Sequence, residues 1–192
     1  MENTLVELMS SFIDLTKEEK QGILDAFPIK TYNKDTNLLK EGQIAKDAFF
    51  VIKGCLRKYS IEDGEEKTSA FYTEFQSAVN FDSMANSSPS KYYFTCTEET
   101  TVAILNSEKE SLLYKKFPHF GEVCRVEMEK MLGSSQEEMA SFINSTPKEK
   151  YLNLLINRPD LIQRVPQYQL ASYLSIKPET LSRIRKRIAL GK

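Results

Sequence analysis

The sequence predicts an α+β protein in which a segment of short β-strands precedes a long helix and a compact group of shorter helices. Three observations lead to this prediction. Strand-like apolar runs recur between Ile29 and Asn106, helical apolar spacing extends from about Pro118 to Asn144, and two short helices follow near the C-terminus. With 192 residues, 41% of them apolar, the chain can form one large or two small domains with normal cores.

The first 27 residues are predicted to be helical. Thr16 and Glu19 have the spacing of a capping box, in which each side chain bonds the backbone N–H of the other residue. Pro28 ends this segment, because proline lacks the N–H that a helix interior needs.

Short strands are predicted between this segment and residue 106. The Asp63-Gly64 pair separates two strand-like runs and is a strong signal for a two-residue hairpin. The predicted strands cover residues 49–52, 56–61, 68–72, 92–96 and 101–105. Their regular spacing indicates a barrel or a double-sheet roll. The Ser-rich stretch from Asp82 to Lys91 is predicted to be a loop with a helical turn near residues 83–85.

A long helix is predicted from Pro118 to Asn144, after a shorter helix that begins with a capping-box pattern at Ser107 and Glu110. One apolar stripe of the long helix comprises Phe120, Cys124, Met128 and Met131. This stripe can pack on the helix's own domain, or it can pair with the same helix of a second subunit. We favour the homodimer, because about 25 residues exceed what a small domain needs.

The C-terminal quarter of the chain is strongly basic. Residues 144–192 contain ten Lys or Arg and three Asp or Glu, a net charge of about +7, while the first 143 residues sum to about −8. Many of these cations lie on one short predicted helix, in the run Arg183-Ile184-Arg185-Lys186-Arg187. Such an asymmetry is typical of a protein that binds nucleic acid.

Two short helices joined by a three- or four-residue link predict a helix-turn-helix unit at this end. Pro166 fits the first turn of the first helix, and Pro178 opens the second. On the second helix, Leu181, Ile184 and Ile188 fall within about 60° of one another. That side is predicted to pack on the first helix, which leaves the opposite side exposed.

The exposed side of the second helix has the chemistry to read DNA. Arg183 can donate to guanine and Glu179 can accept from cytosine. The predicted base contacts are Glu179, Ser182, Arg183 and Lys186. The predicted phosphate contacts are Thr180, Arg185 and Arg187, with Gln167 and Gln169 of the first helix as weaker candidates. The alternative is a solvated basic helix, but the apolar packing pattern beside it favours DNA binding.

Together these motifs resemble the Crp/Fnr family of bacterial transcription regulators. The resemblance rests on Leu39-Lys40-Glu41-Gly42, the run 49–54 and the Asp63-Gly64 hairpin, and on residues 166–176 and 179–184. It implies a double-stranded β-helix (jelly-roll) sensor domain over residues 1–116, a dimerisation helix over residues 117–143, and a helix-turn-helix domain over residues 144–192. It also implies base contacts from Glu179 and Arg183 and a phosphate contact from Thr180.

The chain departs from this family at the effector site. Members that bind cyclic nucleotides carry Gly-Glu and, about ten residues later, Arg followed by Ser or Thr, where this chain offers Val79-Asn80 and Ser90-Lys91. The missing carboxylate and guanidinium predict that cyclic AMP is not bound. A different pocket is the alternative, and its candidate lining residues are Phe71, Tyr72, Asn80, Phe81, Ser90, Lys91, Tyr92 and Phe94. Aromatic residues in strands can equally be plain core.

The expected function is that of a homodimeric, sequence-specific transcription regulator in the cytoplasm. Its expected partners are duplex DNA, a second copy of the chain, RNA polymerase and an unidentified small-molecule effector. No β-hairpin wing is expected after the second helix, because the sequence ends at Lys192. The alternative is a small-ligand or cyclic-nucleotide-binding signalling module whose C-terminal helices contact a protein.

Catalytic, metal and membrane functions are not expected. The single histidine, His119, would have to serve every catalytic role, and the sequence has no Gly-rich phosphate loop. The three cysteines, Cys55, Cys96 and Cys124, are too far apart in sequence for a metal-site motif, so we expect no metal and no cofactor. No apolar run reaches the length of a membrane span, and no signal peptide is recognisable.

Overall fold

The computed structural model describes residues 4–190, and it begins with two helices, α1 (Thr4–Phe12) and α2 (Lys17–Ala26). The predicted capping box at the start of α2 is confirmed. The Glu19 carboxylate accepts from Thr16 N at 2.7 Å, and Thr16 Oγ1 accepts from Glu19 N at 3.3 Å. Residues 1–3, which fall within the predicted helical segment, lie outside the described residues.

Within the described residues, eight strands follow in two four-stranded sheets, as expected for a double-sheet roll. The strands are β1 (Ile29–Tyr32), β2 (Asn37–Leu39), β3 (Asp47–Lys53), β4 (Leu56–Glu62), β5 (Glu65–Tyr72), β6 (Ser77–Ala78), β7 (Tyr93–Cys96) and β8 (Thr100–Asn106). One sheet has the order β1-β8-β3-β6 and the other has the order β2-β7-β4-β5.

The hairpin between β4 and β5 has the two-residue loop that the sequence predicts. Asp63 and Gly64 both have positive φ, 52° and 79°. Two consecutive residues with positive φ define a type I′ turn, whose twist matches that of the flanking strands.

Strand β3 is buried on both of its faces, which explains its continuous apolar run. Phe49 and Val51 lie in a core between the sheets, together with Leu56 and Phe94. Phe50 points the other way, into a second core. Residues that alternate along a strand reach opposite faces of its sheet, so a strand covered on both sides needs apolar residues in succession.

The Ser-rich stretch was expected to be a loop with a helical turn near residues 83–85, and a helix, α3 (Phe81–Asn86), forms there. The side chain of Asn80 caps it by accepting from Ser83 N at 3.3 Å. The expected helical turn near residues 83–85 is confirmed, and the helix is longer than predicted because the asparagine cap compensates the weak helix propensity of the segment.

Helix α4 (Ser107–Lys116) begins one residue before the position that the sequence suggests. Its cap is Asn106, whose Oδ1 accepts from the backbone N–H of Glu108 and Lys109. The predicted capping box of Ser107 and Glu110 is thus wrong, and the Glu110 carboxylate accepts from the Tyr114 hydroxyl instead.

The long helix, α5 (Pro118–Asn144), has the predicted bounds and is continuous through Gly133. Its first turn contributes Phe120 to the second core, which also contains Ile23, Phe27 and Leu113. The helix leaves most of its other apolar side chains at least partly exposed.

Four further helices complete the described chain: α6 (Pro147–Asn157), α7 (Pro159–Arg164), α8 (Gln167–Tyr173) and α9 (Pro178–Ala189). Helix α7 was not predicted. These helices bury a small apolar core made of Tyr151, Leu154, Leu161, Val165, Leu170, Ala171, Leu174 and Leu181. Gly191 and Lys192 lie outside the described residues, so the expectation that no wing follows α9 stays a prediction.

The chain divides into two compact units, neither of which is a single continuous segment. The first unit contains residues 1–58 and 71–130, and the second contains residues 59–70 and 131–192. The second unit therefore includes the loop and adjoining parts of the β4–β5 hairpin. The predicted domain boundaries at 116/117 and 143/144 stay a prediction.

Candidate nucleic-acid interface

The link between α8 and α9 is a tight turn that fixes their relative orientation. Ser175 N donates to Ser172 O at 2.9 Å and Ile176 N donates to Ala171 O at 3.0 Å, the two bonds of a Schellman motif. Ser175 has φ 56°, a left-handed conformation that glycine adopts more easily. Pro166 takes the capping position that precedes α8, and not its first turn.

Helix α9 is anchored through the side that the sequence predicts. Leu181 is only 1% exposed, and Ile184 and Ile188 are half-buried. Pro178 occupies the first turn, where its missing N–H costs no hydrogen bond. Burial of these apolar side chains against α6 and α8 holds the helix in place, so that its opposite side faces outward.

All four predicted base-contact residues are exposed on this outward side: Glu179, Ser182, Arg183 and Lys186. The Arg183 guanidinium makes two long contacts within the helix. Its Nε donates to Glu179 O and its terminal nitrogen donates to Thr180 Oγ1, both at 3.4 Å. Hydrogen bonds of this length are weak, so the guanidinium can exchange them for a better acceptor at little cost.

The predicted phosphate-contact residues differ in how available they are. Arg187 and Gln167 are exposed, whereas Thr180 and Arg185 are half-buried. Gln169 is also half-buried, and its Nε2 donates to the Tyr168 hydroxyl at 3.2 Å. Its Oε1 has no hydrogen-bond partner within the described chain. Gln169 is therefore a poorer phosphate ligand than the other four residues.

Sequence reasoning missed one cation at this surface. Lys177 is exposed and takes the capping position of α9, immediately before Pro178. A positively charged side chain at the start of a recognition helix lies where the DNA backbone passes. Lys177 lies in the link before the helix, outside the helical spacing from which the contact residues were derived.

The polar residues of the candidate effector pocket form hydrogen bonds with one another. Asn80 Nδ2 donates to Ser90 Oγ at 2.8 Å, and Tyr92 N donates to the same oxygen at 3.0 Å. Ser90 Oγ in turn donates to Tyr92 O at 2.8 Å. A hydroxyl has one donor and two acceptor sites, so the Ser90 side chain has no bonding capacity left for a ligand.

The other residues of the candidate pocket do not line one space. Tyr72 packs against Phe94, with ring centroids 6.2 Å apart, in the core between the sheets. Phe71 is the residue before Tyr72 in β5 and therefore points to the opposite face. Phe81 and Lys91 are exposed. The expectation of one pocket lined by all these side chains is corrected accordingly.

A lysine close to these positions was not predicted. The Lys58 ammonium lies 4.1 Å from the centroid of the Tyr92 ring, within the range of a cation–π contact. Burial lowers the pKa of Lys58. Lys58 follows Leu56 by two residues in β4 and thus shares its face of the sheet. No local sequence signal distinguishes such a lysine from a solvated one.

The predicted dimer stripe of α5 is only partly available to a second subunit. Phe120 is fully buried in the core of its own chain. Cys124 is half-buried beside Tyr114, and burial raises the pKa of its thiol. Met128 and Met131 are exposed. Phe120 is therefore removed from the predicted face, because a partner helix cannot reach it.

Further exposed apolar side chains follow on the same helix. They are Leu132, Met139 and Ile143. Together with Met128 and Met131 they recur at intervals of three, four and seven residues, as expected for one side of a helix. We call these five residues the α5 apolar face.

The architecture is shared with solved structures of bacterial regulators. FixK2 from Bradyrhizobium japonicum is 15% identical, with a TM-score of 0.72 over 86% of this chain and 85% of that chain. The c-di-GMP-responsive global regulator CLP from Xanthomonas campestris is 15% identical, with a TM-score of 0.69 over 92% and 93%.

A mutant of CooA from Carboxydothermus hydrogenoformans is 17% identical, with a TM-score of 0.66 over 95% of this chain and 84% of that chain. These neighbours are Crp/Fnr-family regulators. The predicted resemblance to that family is thereby confirmed at the level of the fold. No protein-family model and no curated protein sequence matches the chain. Among residues 4–190, no helix is long and apolar enough to cross a membrane.

Proposed function

We propose that this protein is a homodimeric, sequence-specific DNA-binding transcription regulator of the Crp/Fnr type. The observation that carries the proposal is the arrangement of α9, in which Leu181 is buried while Arg183 and its exposed neighbours face outward. The major groove of DNA admits one α-helix, and a helix held rigidly by its apolar side can present donors and acceptors to base edges there. The fold shared with known regulators supports the same function.

The residues of α9 have two different roles in this proposal. Arg183 and Glu179 read bases, with Ser182 and Lys186 beside them. Arg187 and Lys177 neutralise phosphates and set the position of the helix, but carry no sequence information. The two roles predict different responses to substitution.

Arg183→Ala and Arg187→Ala form a matched pair that tests these roles on a duplex selected from a random-sequence pool. Arg183→Ala should weaken binding to the selected duplex by roughly 1–3 kcal/mol and relax the preference at one base position. Arg187→Ala should weaken binding to selected and random duplexes about equally. It should also make the slope of the logarithm of affinity against the logarithm of salt concentration shallower by about one. Indistinguishable behaviour of the two variants would contradict the assigned roles.

The dimer is proposed to form through the α5 apolar face. A helix-turn-helix monomer reads only a few base pairs, whereas two of them on half-sites one helical turn apart gain affinity and specificity. A second copy of α5 would cover the exposed methionines and leucine of this face, whose exposure in a monomer is unfavourable.

The roll is proposed not to bind cyclic AMP. The hydroxyl of Ser90 is saturated by Asn80 and by the Tyr92 backbone, and the chain has neither the carboxylate nor the guanidinium that hold a cyclic nucleotide in the family. Another small-molecule effector, a contact with RNA polymerase and a cytoplasmic location stay predictions.

A further inference from the structure

Strand β5 of the β4–β5 hairpin is hydrogen-bonded to α8, the first helix of the helix-turn-helix. We call residues 59–70, which belong to the same compact unit as residues 131–192, the hairpin tip. The hydroxyl of Ser172, in α8, accepts from Thr68 N at 2.9 Å and donates to Glu66 O at 3.1 Å. One side chain thus satisfies two backbone groups of the hairpin. Thr68 is buried at this point of contact.

The hairpin tip is acidic. Residues 59–70 contain four carboxylates, those of Glu62, Asp63, Glu65 and Glu66, and one cation, Lys67. Lys67 Nζ lies 2.5 Å from the Glu65 carboxylate. Counted over its own residues, the tip has a net charge of −3.

The acidic tip interacts electrostatically with the start of α9. The pKa of Glu65 is lowered, first by the hydrogen bond from Lys67 and its charge, and further by the charge of Lys177. Lys177 occupies the position before the first residue of α9 and is one of the cations that we assign to phosphate binding. The tip therefore places a carboxylate within electrostatic range of a cation that DNA would use.

Bound DNA would bring phosphates to the same place. In helix-turn-helix complexes the first helix crosses the DNA backbone, and the N-terminal residues of the second helix enter the major groove. Phosphates near α8 and Lys177 would meet like charges on Glu62, Glu65 and their neighbours. Like charges in proximity repel, and Lys177 can neutralise a carboxylate or a phosphate but not both.

We propose that the hairpin tip is an autoinhibitory latch. Docked on α8 through Ser172, it holds the Glu65 carboxylate within electrostatic range of Lys177 and weakens DNA binding until the contact opens. This inference rests on the proposed DNA-binding function. The hairpin tip would then control how tightly the helix-turn-helix binds DNA.

The direct test compares two double variants with the same change in net charge. Glu62→Gln with Glu65→Gln neutralises the hairpin tip, while Glu41→Gln with Glu99→Gln neutralises two exposed carboxylates of the other compact unit. On the selected duplex, the hairpin variant should bind about fivefold more tightly than the control variant, a size consistent with two exposed charges. Equal affinities of the two variants, or weaker binding by the hairpin variant, would overturn the latch.

Ser172→Ala provides a second test, because it removes the docking contact without changing the charge. The amide of Thr68 should exchange its hydrogen faster, and the affinity for DNA should rise. If the Thr68 amide exchanges faster while DNA affinity stays the same or falls, the contact is structural and the proposal is wrong.

The outcomes separate this inference from the proposed function. If neither the wild-type chain nor the latch variants bind any duplex, DNA binding itself fails. If the wild-type chain binds and the hairpin variant matches its control, only the latch fails. Binding by the hairpin variant alone would support both.

Discussion

Leu181→Ala tests whether α9 is held rigidly enough to read DNA. Leu181 is 1% exposed and belongs to the apolar side that packs within the helix-turn-helix unit. The substitution removes three buried carbon groups, a loss of about 2.4 kcal/mol at about 0.8 kcal/mol each. The cavity that remains raises the cost, so we expect about 3 kcal/mol.

Hydrogen exchange of the α9 amides in the full chain measures this effect. A loss of about 3 kcal/mol corresponds to exchange that is on the order of 100-fold faster through local opening. Ser182→Ala is the control, because Ser182 is the next residue and is exposed. It should change the opening free energy by less than about 0.5 kcal/mol. If Leu181→Ala cost less than about 1 kcal/mol, the claim of an anchored recognition helix would be refuted.

Three further predictions concern the turn, the N-terminal cap and the dimer. Ser175→Gly should stabilise the helix-turn-helix by about 0.5–1 kcal/mol in the same exchange measurement, because glycine relieves the left-handed backbone at φ 56°. The pKa of Glu19 is lowered by hydrogen bonds from the Thr16 backbone and hydroxyl. The ionised Glu19 carboxylate therefore stabilises the folded state at neutral pH. This contribution is lost as the pH falls from the unfolded-state pKa, about 4.3, through the lower pKa of the folded state. Glu19→Gln should remove this loss and so flatten this part of the acid unfolding curve. Met131→Glu should convert the proposed dimer to a monomer in sedimentation, whereas Leu112→Glu, at an exposed residue of α4, should leave that dimer intact.

Sequence periodicity located the elements whose own residues determine them. The long helix has its predicted bounds, because its apolar spacing continues over many turns and Pro118 favours its start. The Asp63-Gly64 turn is likewise a local property, since few other pairs adopt two positive φ values.

Elements that depend on partners distant in sequence were missed. Strand β1 has only four residues and is held by pairing with β8, with Ile29 opposite Ala103. Strand β6 has two residues, paired with Phe49 and Phe50. Such short segments carry too little pattern to be recognised, because their stability comes from hydrogen bonds to the neighbouring strand.

The same distinction applies to the candidate sites. The outward side of α9 follows from helical geometry, so its exposed residues could be derived from spacing alone. The hydrogen bonding of the candidate pocket residues could not be derived in this way, because Asn80 and Ser90 are ten residues apart and bond only when the chain folds back. The burial of Phe120 was also hidden, since its core partners come from α1, α2 and the sheet.

Salt dependence of DNA binding by the wild-type chain tests the central claim most directly. The claim is that the exposed, basic side of α9 binds duplex DNA. If each subunit of a dimer neutralises about three phosphates, the logarithm of the affinity should fall with the logarithm of the salt concentration with a slope of about −5. Arg183→Ala should weaken this binding while leaving most of the slope. Binding that is absent, or that is insensitive both to salt and to Arg183, would contradict the claim.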